Sequence, residues 1–129
     1  YYRDYNHELE QVTISCRGEN SGTVNFIPPF SWITGNSMVI NLDQATNILK
    51  KFVCYSLQYE NLKSIVSGSG QPQIIRKDVL NFKIKVTNIK KQQEIIECLE
   101  KIELKIINQR NKEVALEAIK KALLQQMFI

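Results

Sequence analysis

The sequence predicts an α+β fold: a small mixed or antiparallel sheet with one packed helix, followed by a long C-terminal helix. Three observations carry that expectation. Short segments in the first 42 residues alternate apolar and polar side chains with the period of two that a half-buried strand shows. Ala45, Ile48, Leu49, Phe52 and Val53 fall at helical spacing behind Asp43. From Ile89 to Ile129 there is neither Gly nor Pro, and the segment is amphipathic throughout.

Each element has its own warrant. Val12-Thr13-Ile14-Ser15-Cys16 alternates as a strand, and Arg17 to Gly22 punctuates it with turn residues, two of them Gly. Thr23 to Ile27 resumes the strand pattern through Val24 and Phe26, so the pair reads as a hairpin with a loop longer than two residues. Pro28-Pro29 ends it. Trp32 and Ile33 precede a turn at Gly35-Asn36, and Ser37 to Leu42 reads as a further strand. Asp43 can accept orphan amide hydrogens as an N-cap, which predicts a helix from 43 to about 58. Ser67 to Gln73 is a Gly-rich loop, Arg76 to Leu80 one short helical turn, and Phe82 to Val86 a strand with Lys83 and Lys85 on its wet face. Asn88 caps the final helix.

Within that helix Ile95, Leu99, Ile102 and Ile106 make a heptad-like seam. Gln109 to Lys112 interrupts it, and apolar character returns at Val114, Leu116, Ile119, Leu123 and Met127. The seam drifts around the helix as packing at 3.6 residues per turn does. A helix of this length runs roughly 55 Å, about twice the size of the domain it leaves. An apolar stripe on it needs a partner, so the sequence points to assembly.

The 129 residues suffice for one domain plus an extension. Apolar content of 43% and charged content of 23% belong to a globular chain rather than a disordered one. The net charge of +4 permits a polyanionic partner but does not require one, because such attraction needs a clustered patch. Cys16, Cys54 and Cys98 are odd in number and in no metal spacing, which predicts buried thiols in a reducing, cytoplasmic setting and no metal. No apolar run reaches the ~20 residues that span a bilayer. No signal peptide precedes the first strand. The chain opens at Tyr1-Tyr2-Arg3 with no initiator Met, which reads as a fragment lacking its N-terminal part.

Four segments together resemble the DNA-specificity subunits of type I restriction–modification systems. Thr13-Ile14-Ser15-Cys16-Arg17-Gly18 with Ser21-Gly22-Thr23-Val24 is similar to the family's strand–Arg-Gly hairpin. Ser67-Gly68-Ser69-Gly70-Gln71-Pro72-Gln73-Ile74 is similar to its Gly-Ser-x-x-Gln-Pro-x-Ile loop, with Arg76-Lys77-Asp78-Val79-Leu80 as the turn that follows. Ile84-Lys85-Val86 through Gln92-Gln93 and Ile95 resembles the strand leading into the conserved helix, and Ile119 to Phe128 resembles the end of that helix. Thr87-Asn88 stands where the family often has Pro-Pro, and Lys91 where it usually has Glu. Both departures touch the helix start. The resemblance implies a partial target-recognition domain over residues 1–87 and a long conserved helix for spacing and dimerisation over residues 88–129.

The same resemblance implies double-stranded DNA as ligand. Arg17, Asn20 and Ser21 on the hairpin tip suit groove or phosphate contact, against the plainer reading of a solvated turn. Ser69, Gln71 and Gln73 lie on a loop whose glycines could point amides at an anion, but the Lys and Ser/Thr of a nucleotide-binding loop are missing. Gln amides can pair with adenine edges. The commoner role for such a loop is structural. Lys63, Arg76 and Lys77 are candidate phosphate clamps, whereas Lys83 and Lys85 read as a solvated face. Trp32, Phe30 and Tyr55 read as core rather than as a base-stacking platform.

The single histidine, His7, supplies no catalytic set, and no methyl-donor or nuclease motif is present. The expectation is therefore a non-catalytic, cofactor-free recognition subunit that works with separate methyltransferase and restriction subunits. Its helix would pair with a second specificity half-unit, either a second copy or a missing half, through Ile95, Leu99, Ile102, Ile106, Leu116, Ile119, Leu123 and Met127. The competing expectation is a helix-mediated adaptor with no DNA affinity.

Overall fold

The computed structural model describes residues 4–68 and 70–127. Its sheet grows outward from β1 (Gln11–Ser15), which lies between β2 (Val24–Ile27) and β3 (Ser37–Ile40) and is antiparallel to both. The register sets Val12 opposite Phe26 and Ile40, and Ile14 opposite Val24 and Met38. Those six side chains share one apolar face, as the period of two requires. The central strand is buried from Gln11 to Ile14, while the edge strands are only partly covered.

Helix α1 (Lys50–Glu60) covers this face with Val53, Cys54 and Leu57. Leu62 and Ile74 complete a core with Val12, Ile14 and Val24. Each large side chain buried there contributes about 1.5–3 kcal/mol. A short 3-10 turn (Leu62–Ile65), α2 (Arg76–Asn81) and α3 (Ile89–Met127) follow.

Four local expectations are corrected. Asp43 caps no helix, and α1 begins at Lys50 rather than at 43. The Asn41 side chain accepts the Asp43 amide at 3.0 Å, and Ala45 N–H reaches back to Leu42, so local turn chemistry holds this stretch out of the helix. The Asp43 carboxylate instead accepts from Gln11 Nε2 and pairs with Lys50.

The stretch 82–86 is not a strand, because no other segment among the described residues forms a ladder with it. Its alternation is real all the same: Phe82 and Ile84 are half-buried and Lys83 and Lys85 exposed.

Phe30 and Trp32 are surface residues, 66% and 50% exposed, and only Tyr55 is half-buried. Past Pro28-Pro29 the chain leaves the sheet with Phe30 at φ 56°, and the Phe30 ring meets Tyr5 edge-on at 5.2 Å. Finally, the thiols are not uniformly buried. Cys54 is buried, Cys16 half-buried and Cys98 exposed, all three unbridged.

Asn88 caps α3 as its sequence suggests, its side chain accepting the Lys91 amide at 2.9 Å. Gln92, fully buried, accepts the Leu49 amide at 2.9 Å and donates to the carbonyls of Asn47 and Thr87. The chain divides into two compact units, one ending at Gln93 and one beginning at Glu94. The second consists of the body of α3, and from Lys101 to Met127 every residue on it is exposed. Ile102 is 47% exposed, Ile106 46% and Leu116 65%, with Ile119, Leu123 and Met127 similarly open. Ile95 and Leu99 are half-buried. Among the described residues no helix is long and apolar enough to cross a membrane, and no group of His, Cys, Asp and Glu could hold a metal ion.

Candidate nucleic-acid interface

The hairpin tip and the Gly-rich loop, 50 residues apart in sequence, are stitched into one surface. The tip closes on itself through Gly22 N–H to Ser15 O and Ser15 N–H to Thr23 O, each 2.9 Å. Residues 72–74 then run antiparallel beside 16–18: Gly18 N–H donates to Pro72 O and Ile74 N–H to Cys16 O, both at 2.9 Å, so that Arg17 faces Gln73. On its other side Gln73 exchanges backbone bonds with Ser67 at 2.8 and 2.9 Å. Gln73 therefore sits between Arg17 and Ser67.

Glycine permits the close approaches this needs. At φ 88° Gly22 lies so near the 3-10 turn that a Cβ there would stand 3.2 Å from the Lys63 amide nitrogen. At φ 98° Gly68 leaves room for the Gln71 carbonyl, which a Cβ would meet at 2.5 Å. The first contact brings the backbone of Lys63 against the hairpin tip.

Arg17, Asn20, Lys63, Gln71 and Gln73 are thus gathered on neighbouring backbone segments, all with exposed side chains. Among the described residues no ion pair engages Arg17, Lys63, Arg76 or Lys77. Charge left unpaired at a surface stays available to an anion. Ser21 is different. It is 3% exposed and its hydroxyl donates to Pro72 O at 2.9 Å, so the fold turns it inward and away from direct contact with a ligand. Ser69 lies outside the described residues. Arg76 and Lys77 are exposed on α2, directly after the loop, and Arg76 borders an apolar groove of about 630 Å³ lined by Met38, Ile40, Leu42, Leu80, Phe82 and Ile84.

Burial pushes the Cys16 thiol up, only partly offset by a backbone hydrogen bond from Met38 and by the charge of Arg17. A raised thiol stays protonated and unreactive, so Cys16 belongs to the frame of the site rather than to its chemistry. What the arrangement offers is recognition: a guanidinium, an ammonium and side-chain amides presented from hydrogen-bonded backbone. Sequence reasoning missed the stitch itself and the inward turn of Ser21. Neither left a signal in the local sequence, because both depend on segments about 50 residues apart meeting in the fold.

The family model for the type I restriction modification DNA specificity domain matches residues 1–116, and the chain belongs to that family. A DNA-specificity role in type I restriction–modification goes with that membership. No curated protein matches the chain.

Proposed function

We propose that the chain reads duplex DNA through the stitched surface of the hairpin tip and the Gly-rich loop. Asn20 approaches a groove, Gln71 and Gln73 offer amides to base edges, and Arg17, Lys63, Arg76 and Lys77 neutralise phosphates. Residues 1–87 act as part of a target-recognition domain. Residues 88–129 act as spacer and joint, pairing through the exposed stripe of α3 with a second specificity half-unit and offering a docking surface to methyltransferase subunits. The chain has no chemistry of its own in this reading; partner subunits in the cytoplasm supply methylation and cleavage.

The observation that carries the proposal is the bridge between Arg17 and Gln73, which unites the two loops that the family resemblance marked for DNA contact. The exposed stripe on α3 also suits an adaptor without DNA affinity. A gel-shift salt titration separates the two. Binding that weakens steeply with salt supports DNA reading, and no binding at low salt by a folded, self-associated chain supports the adaptor.

A further inference from the structure

We infer that Ser21 is a positioning residue for base reading, acting through the carbonyl of Pro72 to fix the Gln71–Gln73 segment against the Arg17 hairpin. The inference rests on the proposal that these two segments face DNA.

The Pro72 carbonyl accepts two hydrogen bonds, from Gly18 N–H and from the Ser21 hydroxyl, both at 2.9 Å. Proline has no N–H, so that carbonyl is the only backbone hydrogen-bonding group with which residue 72 can be held. Its two sequence neighbours are Gln71 and Gln73, the side chains suited to adenine edges. The Ser21 hydroxyl is buried and commits its proton to a residue 51 positions away. A hydroxyl kept inside for this bond serves the geometry of the surface above it.

Removing it leaves the rest of the stitch in place. Gly18 still donates to Pro72, Ile74 to Cys16, and Gln73 and Ser67 remain paired. The loss is therefore one of register rather than of fold. Long-range attraction to phosphates tolerates a small displacement, because Coulomb energy changes slowly with distance. A two-bond contact between an amide and a base edge does not, because both bonds must align at once. Ser21 thus separates sequence discrimination from overall affinity, whereas a merely structural residue would lower both together.

The experiment uses the full chain as wild type, Ser21→Ala and Ser21→Thr. Each selects from a randomised duplex pool, and its salt dependence is measured on one fixed duplex. The expected result is a defined motif for the wild type and about tenfold weaker discrimination at some of its positions for Ser21→Ala. The salt slope should be unchanged, and Ser21→Thr should restore the motif. Gln71→Ala and Gln73→Ala are surface changes that leave the clamp intact, and they should relax the same positions. If Ser21→Ala fails to fold, Ser21→Cys, close in size but with only a weak donor, is read in its place with the same expected loss of discrimination. A motif unchanged in the glutamine variants, an unchanged motif in Ser21→Ala, or a salt slope that falls along with discrimination would each overturn the inference. A wild-type chain that enriches no motif and shows no salt-dependent binding would overturn the DNA-reading proposal as well.

Discussion

Replacing Gly68 by Ala tests whether the Gly-rich loop is held in one shape. A Cβ at position 68 would lie 2.5 Å from the Gln71 carbonyl oxygen, and the residue sits at φ 98°, where side chains other than Gly are strained. The clash is with backbone, so no rotamer change relieves it, and the loop must open. Opening removes the two Ser67–Gln73 backbone bonds. At about 0.5–1.5 kcal/mol net for each, the loss is roughly 1–3 kcal/mol. Gly70, two residues on, provides the control. A Cβ there meets nothing within 4 Å and its φ is not in the left-handed region, so Gly70→Ala should be close to neutral. Urea unfolding of the two variants beside the wild type reads the difference directly. Equal stability of Gly68→Ala and Gly70→Ala would refute the reasoning, because it would mean that the loop holds no fixed conformation for the steric term to act on.

Two further outcomes follow from other parts of the chain. Ile102→Asp with Ile106→Asp should reduce the mass in solution from that of an assembly to that of a monomer while circular dichroism retains the helix, because both side chains are exposed and lie on the proposed joint. An unchanged mass by light scattering would count against pairing there. Acid stability should depend on Asp43. The hydrogen bond from Lys50, with help from Gln11 and against partial burial, holds its carboxyl below the usual carboxylate range. A depressed folded-state pKa gives a contribution complete above the unfolded carboxylate value of about 3.9 and lost as pH falls through the folded value. Asp43→Asn should therefore flatten that part of the acid limb in a pH series of unfolding curves, and an unaltered acid limb would show that the pair contributes nothing.

The contrast between what the sequence revealed and what it hid has a physical pattern. Elements with a strict period and their own end signals were legible: β1 and β2 from alternation, α3 from its long amphipathic run and the Asn88 cap. Asp43 misled because a carboxylate before an apolar run has several possible partners, and Gln11 and Lys50 arrive only through the tertiary fold. The segment around Ile84 misled because alternation reports which side chains face inward, whereas a strand also needs a neighbour in hydrogen-bonding register. Phe30 and Trp32 misled because aromatic bulk favours burial only where the backbone points it at a core, and Pro28-Pro29 directs this stretch away. In the candidate site each loop was visible in the sequence by itself. The pairing of Arg17 with Gln73 was not, because a backbone bridge across more than 50 residues leaves no period for local reading to detect.

If the hairpin tip and the Gly-rich loop form the face that meets DNA, the salt dependence of duplex binding must report their cations. Contact of Arg17, Lys63, Arg76 and Lys77 with phosphates gives a log–log slope of about −3.6, so affinity should fall about 150-fold between 50 and 200 mM salt. Arg17→Ala with Lys63→Ala should reduce the steepness by about 2, while Lys83→Ala with Lys85→Ala, exposed cations outside the proposed contact set, should leave it unchanged. A slope insensitive to Arg17 and Lys63, or one that responds equally to Lys83 and Lys85, would contradict the account.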